Sequence, residues 1–478
     1  MRKLFLLILI ILSSQIQSQT ICDNGSANSF PCNDYDLMSQ ISLATMNASD
    51  GNDSWGWTDT STGKEYAIIG LDNGTAFIDI SDPVNPIYLG KLPSPTPPTS
   101  WRDIKVYQNH AYVVSDIFPG DHNHGMQVFD LTKLRSVTNP PQTFAEDGRY
   151  TGFGKAHNIV INEDTGFAYA VGTLTFSGGP HFINLQDPKN PVAAGGFVSS
   201  GGDPYSHDAQ VVTYNGPDTD HIGKEILIGS NQLEIVIADI TNKANPITLS
   251  TINYSDIGYT HQGWFTEDHR YFLLGDEFDE SNVGFDTRTI IFDFEDLDNP
   301  KFHMNYTGPT PAIDHNGYVK GNKFFLANYR AGLRVIDIAD IANKNIFEIG
   351  SFDSFPSNNN AGFNGAWSVY PYFDSGNIVI SDIESGFLLV RQSNTLSIND
   401  FSNKSNFAMY PNPTKSGVTI DKGNTSQLEK IEIYNILGEK MKEVTEFNDS
   451  EKINLTLNYA PGIYLVRINN STKKLIIN

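Results

Sequence analysis

Four of the chain's 11 histidines sit in one kind of setting: small or polar residues first, then an apolar run. They are His157 in "KAHNIV", His207 in "YSHDAQ", His261 in "YTHQGW" and His315 in "IDHNGY". Imidazoles that converge from separate segments suit a borderline divalent metal, and a nearby carboxylate completes such a site. Their spacing lacks the H-x-x-x-H of a preformed helical metal site. A metal is therefore a candidate cofactor that only convergence in the fold would create. "DHNHG" (121–125) offers His122 and His124 as a second chelating pair, though a solvated loop is the plainer reading. "GDEFDE" (275–280) is acidic but lacks the order of a calcium-binding hand, and no phosphate loop, dinucleotide fingerprint or nucleophile elbow is present.

What positions the four histidines is a repeat. Apolar runs ending in Asp-Ile or a close variant place anchors at Asp79, Asp130, Asn184, Asp239, Asp293 and Asp337, with spacings of 51, 54, 55, 54 and 44 residues. A period near fifty residues of β-pattern is that of a propeller blade. Within a unit, four β-branched or aromatic runs alternate with Gly, Asn, Asp and Pro, as in "HNIVIN", "GFAYAVGT", "HFINLQ" and "VAAGGF". The Asp-Pro and Asn-Pro pairs are turn chemistry, so the anchor acids read as Asx turns rather than ligands.

First strands begin near Trp55, Arg102, His157, His207, His261, His315 and Trp367, which makes seven units. The expected fold is all-β, a seven-bladed β-propeller followed by a small β-sandwich. The seventh unit lacks a fourth strand, and an open ring would expose two sheet edges. Residues 37–46 are expected to supply that strand. The two cysteines, Cys22 and Cys32, stand just ahead of it, and in an exported chain they are expected to pair.

Export itself is expected from "MRKLFLLILIILSSQIQSQT". Two positive charges precede a short apolar run, the pattern of a signal peptide over 1–19. No other stretch is apolar enough for a transmembrane helix. The net charge of −23 speaks against nucleic acid, whose phosphates need a basic footprint, and favours cationic or neutral ligands. Expected boundaries are a body over 20–392, a polar linker over 393–405 and a terminal β-unit over 406–478.

The segments "FIDISDPVNP" and "VIDIADIANK" resemble the LVIVD-repeat propellers of bacterial surface proteins. With "FPCNDYDL" and seven units, residues 22–392 look like the choice-of-anchor B group of that family. The tail pieces "YPNPT", "IYNILGEKM", "GIYLVRI" and "KKLIIN" resemble the C-terminal sorting domain of the type IX secretion system of Bacteroidetes. That resemblance implies Sec export, contact with the type IX machinery, and release or display outside the cell. It implies no reaction for the body.

In a propeller the first residues of the inner strands rim the central channel. The candidate ligand-binding residues are therefore Trp55, Trp57, Trp101, Arg102, Asp103, Asn158, Asp208, Gln262, Asn316 and Trp367, and the candidate metal ligands are His157, His207, His261 and His315. Three roles are open to this ring. The polar groups brace neighbouring blades, or they form a ligand pocket for a glycan, peptide or protein, or they hold a metal. In the metal case a hydrolase or lyase would use Asp208 or Asp103 as base.

Overall fold

The computed structural model describes residues 19–117, 123–200, 202–393, 408–421, 430–435, 438–445, 452–468 and 471–478. Nearly all of the expected signal peptide and linker lies outside them. The chain divides into two compact units, Met1–Ser393 and Asn394–Asn478.

Among its described residues the first unit is all-β and holds seven sheets of four or more strands, antiparallel except for one outer pair in the first. Their first strands are Gly51–Asp59, Trp101–Tyr107, Asn158–Asn162, Asp208–Thr213, Thr260–Phe265, Gly317–Lys320 and Ala366–Tyr370. The third sheet is typical: Asn158–Asn162, Phe167–Val171, His181–Asn184 and Val192–Gly196 lie in sequence order. Burial explains the residue pattern. Second strands such as Glu225–Ser230 are covered on both faces, whereas fourth strands such as Val192–Gly196 are largely exposed. A strand covered on both faces must be apolar throughout rather than alternating.

The turns that follow the third strands repeat a single bond. Asp79, Asp130, Asn184, Asp239, Asp293 and Asp337 each accept the backbone N–H two residues on, at 2.8–3.0 Å. These are Asx turns, made six times by the same chemistry.

Each first strand packs against the first strand of the next sheet, and the seventh packs back against the first. The Glu65 carboxylate joins the same two sheets, accepting from Ser375 N at 3.1 Å and Ser375 Oγ at 2.5 Å. The fourth strand of the seventh sheet is Tyr35–Ile41, antiparallel to Gly386–Gln392. The expected strand over 37–46 thus starts earlier and stops sooner. Ser42 caps a helical turn at Leu43–Met46 by accepting from Thr45 N, and Asn47 closes it in the left-handed region. Ser26–Ala27 and Phe30–Asn33 extend the sixth sheet, with Cys32 opposite Phe352. Cys22 and Cys32 form a disulfide. The buried Asp36 carboxylate accepts from Gln19 Nε2, Cys22 N and Ser393 Oγ, tying both ends of this unit together.

One glycine is required by a close approach. A Cβ on Gly90, whose φ is +140°, would lie 1.9 Å from the Gln142 carbonyl, where Gln142–Thr143 pairs in parallel with the outer strand of the first sheet.

The described residues of the second unit form two sheets. One holds Ala408–Tyr410, Gly417–Asp421 and Lys452–Thr456; the other holds Lys440–Val444, Ile431–Asn435, Gly462–Ile468 and Ser471–Ile477. They share one apolar core that includes Ile420, Ile433, Leu455 and Val466.

Candidate functional site: a cavity over a stack of histidines

The four histidines come together. His157, His207 and His315 each precede an inner strand, with backbone N–H groups bonded to Val171 O, Ser230 O and Ala327 O. His261 sits at a register shift between Thr260 and Gln262, and Trp367 at a matching shift between Ala366 and Ser368. These shifts turn the side chains inward. The rings form an arc with centroid separations of 4.1 Å (His157–His207), 4.4 Å (His207–His261) and 4.5 Å (His261–His315). Trp367 continues it 5.0 Å from His315, and Trp101 lies 6.5 Å from His157 at the other end.

Above the arc opens a cavity of about 650 Å³. Aromatic residues dominate its wall: Trp101, Tyr205, Tyr259, Phe278, Tyr329, Phe363 and Trp367. Asp50, Asp116 and Glu277 add carboxylates, while His157 and His207 line it directly. A wall of aromatic faces with a few polar groups is the ordinary make-up of a ligand site.

Three of the imidazoles, His207, His261 and His315, are held neutral. Burial pushes His207 well below its ordinary value, with His157, His261 and His315 adding to it. Burial, then His157, takes His261 to about 3, and burial, then His261, does the same for His315. His157 Nδ1 bonds to Asp116 Oδ2 at 3.0 Å. Burial raises Asp116, but His157 and Lys155 outweigh it and hold the carboxyl below the usual range. His207 Nδ1 meets the Tyr259 hydroxyl at 3.0 Å, and His315 Nδ1 donates to Trp367 O at 2.5 Å. Glu277 faces two rings: its oxygens lie 3.7 Å from His261 Nε2 and 3.7 Å from His315 Nε2. The Tyr329 hydroxyl donates to it at 2.8 Å.

Immediately after the histidines comes a polar belt. Asp53 accepts from Ile104 N (3.1 Å), Asp103 from Ile159 N (2.7 Å) and Gln262 from Gly317 N (2.9 Å), each bond reaching the next sheet. Asn158 Nδ2 donates to His207 O, and Asn316 Nδ2 to Trp367 O. Lys105 Nζ lies 2.6 Å from Asp103, 3.3 Å from Asp53 and 4.6 Å above the Trp55 ring. Burial raises Asp53, Lys105 opposes it and Asp103 adds to it, leaving Asp53 well above the usual range; in Asp103 burial is outweighed by Lys105 and Asp53, and the carboxyl is depressed. Burial, then Asp103, pushes Asp208 up to about 8, so near neutral pH it is mostly protonated and a poor base.

The expected rim residues therefore separate. Trp101, Trp367, His157 and His207 line the cavity, with His261 and His315 in the same arc. Asp103, Asn158, Gln262 and Asn316 form the belt, where their bonds brace sheets, and Asp208 lies in it with its carboxylate accepting from Ala209 N. Trp55 lines a second cavity of about 560 Å³ with Trp264, Tyr370 and Tyr372. Trp57 is buried and stacks on Tyr66 in the core shared by the first two sheets. Arg102 is fully buried; its Nε donates to Leu71 O and Nη1 meets His124 Nε2, both at 2.9 Å. The first inner strand begins at Gly51, four residues before Trp55, so Asn52 and Asp53 take the places expected for Trp55 and Trp57. His124 is buried rather than on a solvated loop, and His122 lies outside the described residues. Tyr205 and Tyr259 escaped the sequence reading, although each stands two residues before a stack histidine. Tyr329 stands in the loop after a second strand, between Asn328 and Arg330, and Phe363 comes from a loop without a periodic signal.

Residues 408–478 match the secretion system C-terminal sorting domain. Such a tail marks export by type IX secretion to the cell surface or the extracellular space, and implies contact with that machinery. Among the described residues no helix is long and apolar enough to cross a membrane. A curated relative, Beta-agarase A of Zobellia galactanivorans, is 28% identical over 199 residues, which is 41% of this chain and 34% of the relative. The chain thus spans about a third of that relative's length. Solved structures with similar folds include the β-propeller domain of Swd1 from Myceliophteria thermophila (TM-score 0.45, 9% identity, 75% of this chain and 99% of that one). Another is PorZ, a surface component of the type IX secretion system of Porphyromonas gingivalis (0.43, 12%, 87% and 58%). A third is a protein from Lactobacillus plantarum (0.45, 11%, 86% and 100%).

Proposed function

We propose that the body is a closed seven-bladed β-propeller of the LVIVD-repeat, choice-of-anchor B kind, carried out of the cell by a small β-sandwich tail, and that it binds a neutral glycan over the histidine stack. The carrying observation is the cavity of about 650 Å³, flanked by Trp101 and Trp367 and floored by His157 and a neutral His207. Sugar rings present apolar faces to indoles and hydroxyls to polar groups. Here Asp116, Glu277 and the tyrosines supply the polar partners. The net charge of −23 disfavours an anionic polysaccharide and leaves a neutral one unopposed. The 199-residue match to a relative named as an agarase is longer than the 71-residue tail and points toward the same substrate class. The bonds by which Asp103 and Gln262 brace sheets occupy the belt, which supports recognition in the cavity above it.

Calorimetric titration of the exported chain with neutral polysaccharide oligomers tests this. Trp101→Ala and Trp367→Ala should each weaken binding at least tenfold, about 1.4 kcal/mol or more. Absence of binding by the wild type, or unchanged affinity in both variants, would overturn it.

A further inference from the structure

We propose that His207, His261 and Glu277 form a binding site for a borderline divalent transition ion of the zinc type, with an open coordination position facing the cavity. A ligand atom from each of the three lies within 4.8 Å of the other two. Two ligands about 2.0–2.1 Å from one tetrahedral ion stand roughly 3.3 Å apart. The 3.7 Å from His261 Nε2 to Glu277 Oε2 therefore needs only a slight contraction.

The surrounding bonds leave these atoms without alternative work. His207 is 6% exposed, and its Nε2 has no hydrogen-bond partner. Its Nδ1 is engaged by the Tyr259 hydroxyl, so the free nitrogen is the one turned from that bond. An outer hydroxyl that orients a ring in this way is a usual partner of a metal-bound imidazole. Glu277 is likewise oriented, by the Tyr329 hydroxyl. His315 makes the case sharper. Its Nδ1 donates to the Trp367 carbonyl, and its Nε2 lies 3.7 Å from Glu277 Oε1, so the same carboxylate faces a second ring nitrogen beside the site. Two imidazoles with one carboxylate select zinc-like ions over calcium or magnesium, which prefer all-oxygen shells. His207 and Glu277 both line the cavity, which provides the entry path. Among the described residues the other grouping of this kind, Asp218, His221 and Asp298, has its imidazole fully engaged: Nε2 with Asp298 and Nδ1 with Lys224.

The site stands apart from the glycan reading, because zinc uptake is measured without sugar. The exported full chain, stripped by chelator and dialysed, would be titrated with zinc chloride by calorimetry. The expected result is one equivalent bound per chain. His207→Ala and Glu277→Gln should each weaken binding about 100-fold or more, with Tyr259→Phe weakening it about tenfold. Thermal melting would establish that each variant is folded, and Glu277→Gln decides if His207→Ala is not. Visible absorption of the cobalt-loaded chain should show a tetrahedral band that Glu277→Gln abolishes. No uptake by the wild type overturns the proposal, as does binding that survives Glu277→Gln and is lost in His221→Ala.

Discussion

Replacing Lys105 with Met should destabilise the first unit in a pH-dependent way. Lys105 is 7% exposed and holds a depressed Asp103 at 2.6 Å and a raised Asp53 at 3.3 Å. Two carboxyls share one ammonium, so Asp103 carries the charge and Asp53 the proton. Methionine keeps most of the stem's packing against Trp55 but strands the Asp103 charge beside Ile159 N. Removing one partner of a buried pair costs about 3–5 kcal/mol. Unfolding entropy of about 2.1 cal/mol/K per residue over about 370 residues gives ~0.8 kcal/mol/K, so Tm should fall by about 4–6 °C. In the wild type, Asp103 lies below its unfolded value, so its contribution is present above about pH 3.9 and lost as pH falls through the folded value. In the variant the same carboxyl rises, and the penalty grows with pH. Calorimetry at pH 8 and pH 4 should therefore show a large gap to wild type at pH 8 and a much smaller one at pH 4. Adding Asp103→Asn to Lys105→Met should recover most of the loss at pH 8. A fall in Tm under 1 °C, or a gap independent of pH, would refute the reasoning.

Glu280→Gln should behave oppositely. Burial, then Asp314 and Asp279, raises Glu280, so wild-type stability drains as pH climbs above its unfolded value near 4.3. The variant should match wild type at pH 4 and exceed it at pH 8, by up to about 5 kcal/mol in chemical denaturation. Replacing Cys22 and Cys32 with Ser frees a short loop and should cost about 2–3 kcal/mol, read as an earlier denaturation midpoint. Deleting residues 20–41 removes the strand paired with Gly386–Gln392 and exposes that edge; light scattering should show association of the shortened chain.

Much of this protein was open to local reading. The Asx anchors, the strand runs between them and the histidines ahead of the inner strands depend on short-range chemistry, so the chain order alone places His157, His207, His261 and His315 at equivalent positions. The pair of tyrosines two residues ahead of His207 and His261 was legible by the same logic. What local order leaves open is direction. One shifted residue in a strand reverses the face on which every later side chain lies. The first inner strand starts at Gly51 rather than near Trp55, which leaves Trp55 at another cavity and Trp57 in the core and puts Asn52 and Asp53 in their place. Arg102 looks like a channel cation in sequence, yet Leu71 O and His124 hold it within the body. Glu277 and Tyr329, which give the histidine arc its chemistry, follow the second strands of the fifth and sixth sheets; that position puts Glu277 on the histidine face in sequence, but only the fold sets its oxygens against His261 and His315. The sequence alone determined the repeat and the ring of inner positions, because turns and strand runs are encoded locally. The tertiary structure alone decided which members of that ring brace, which recognise and which face one another across the axis, because those roles depend on register and on groups brought from distant segments.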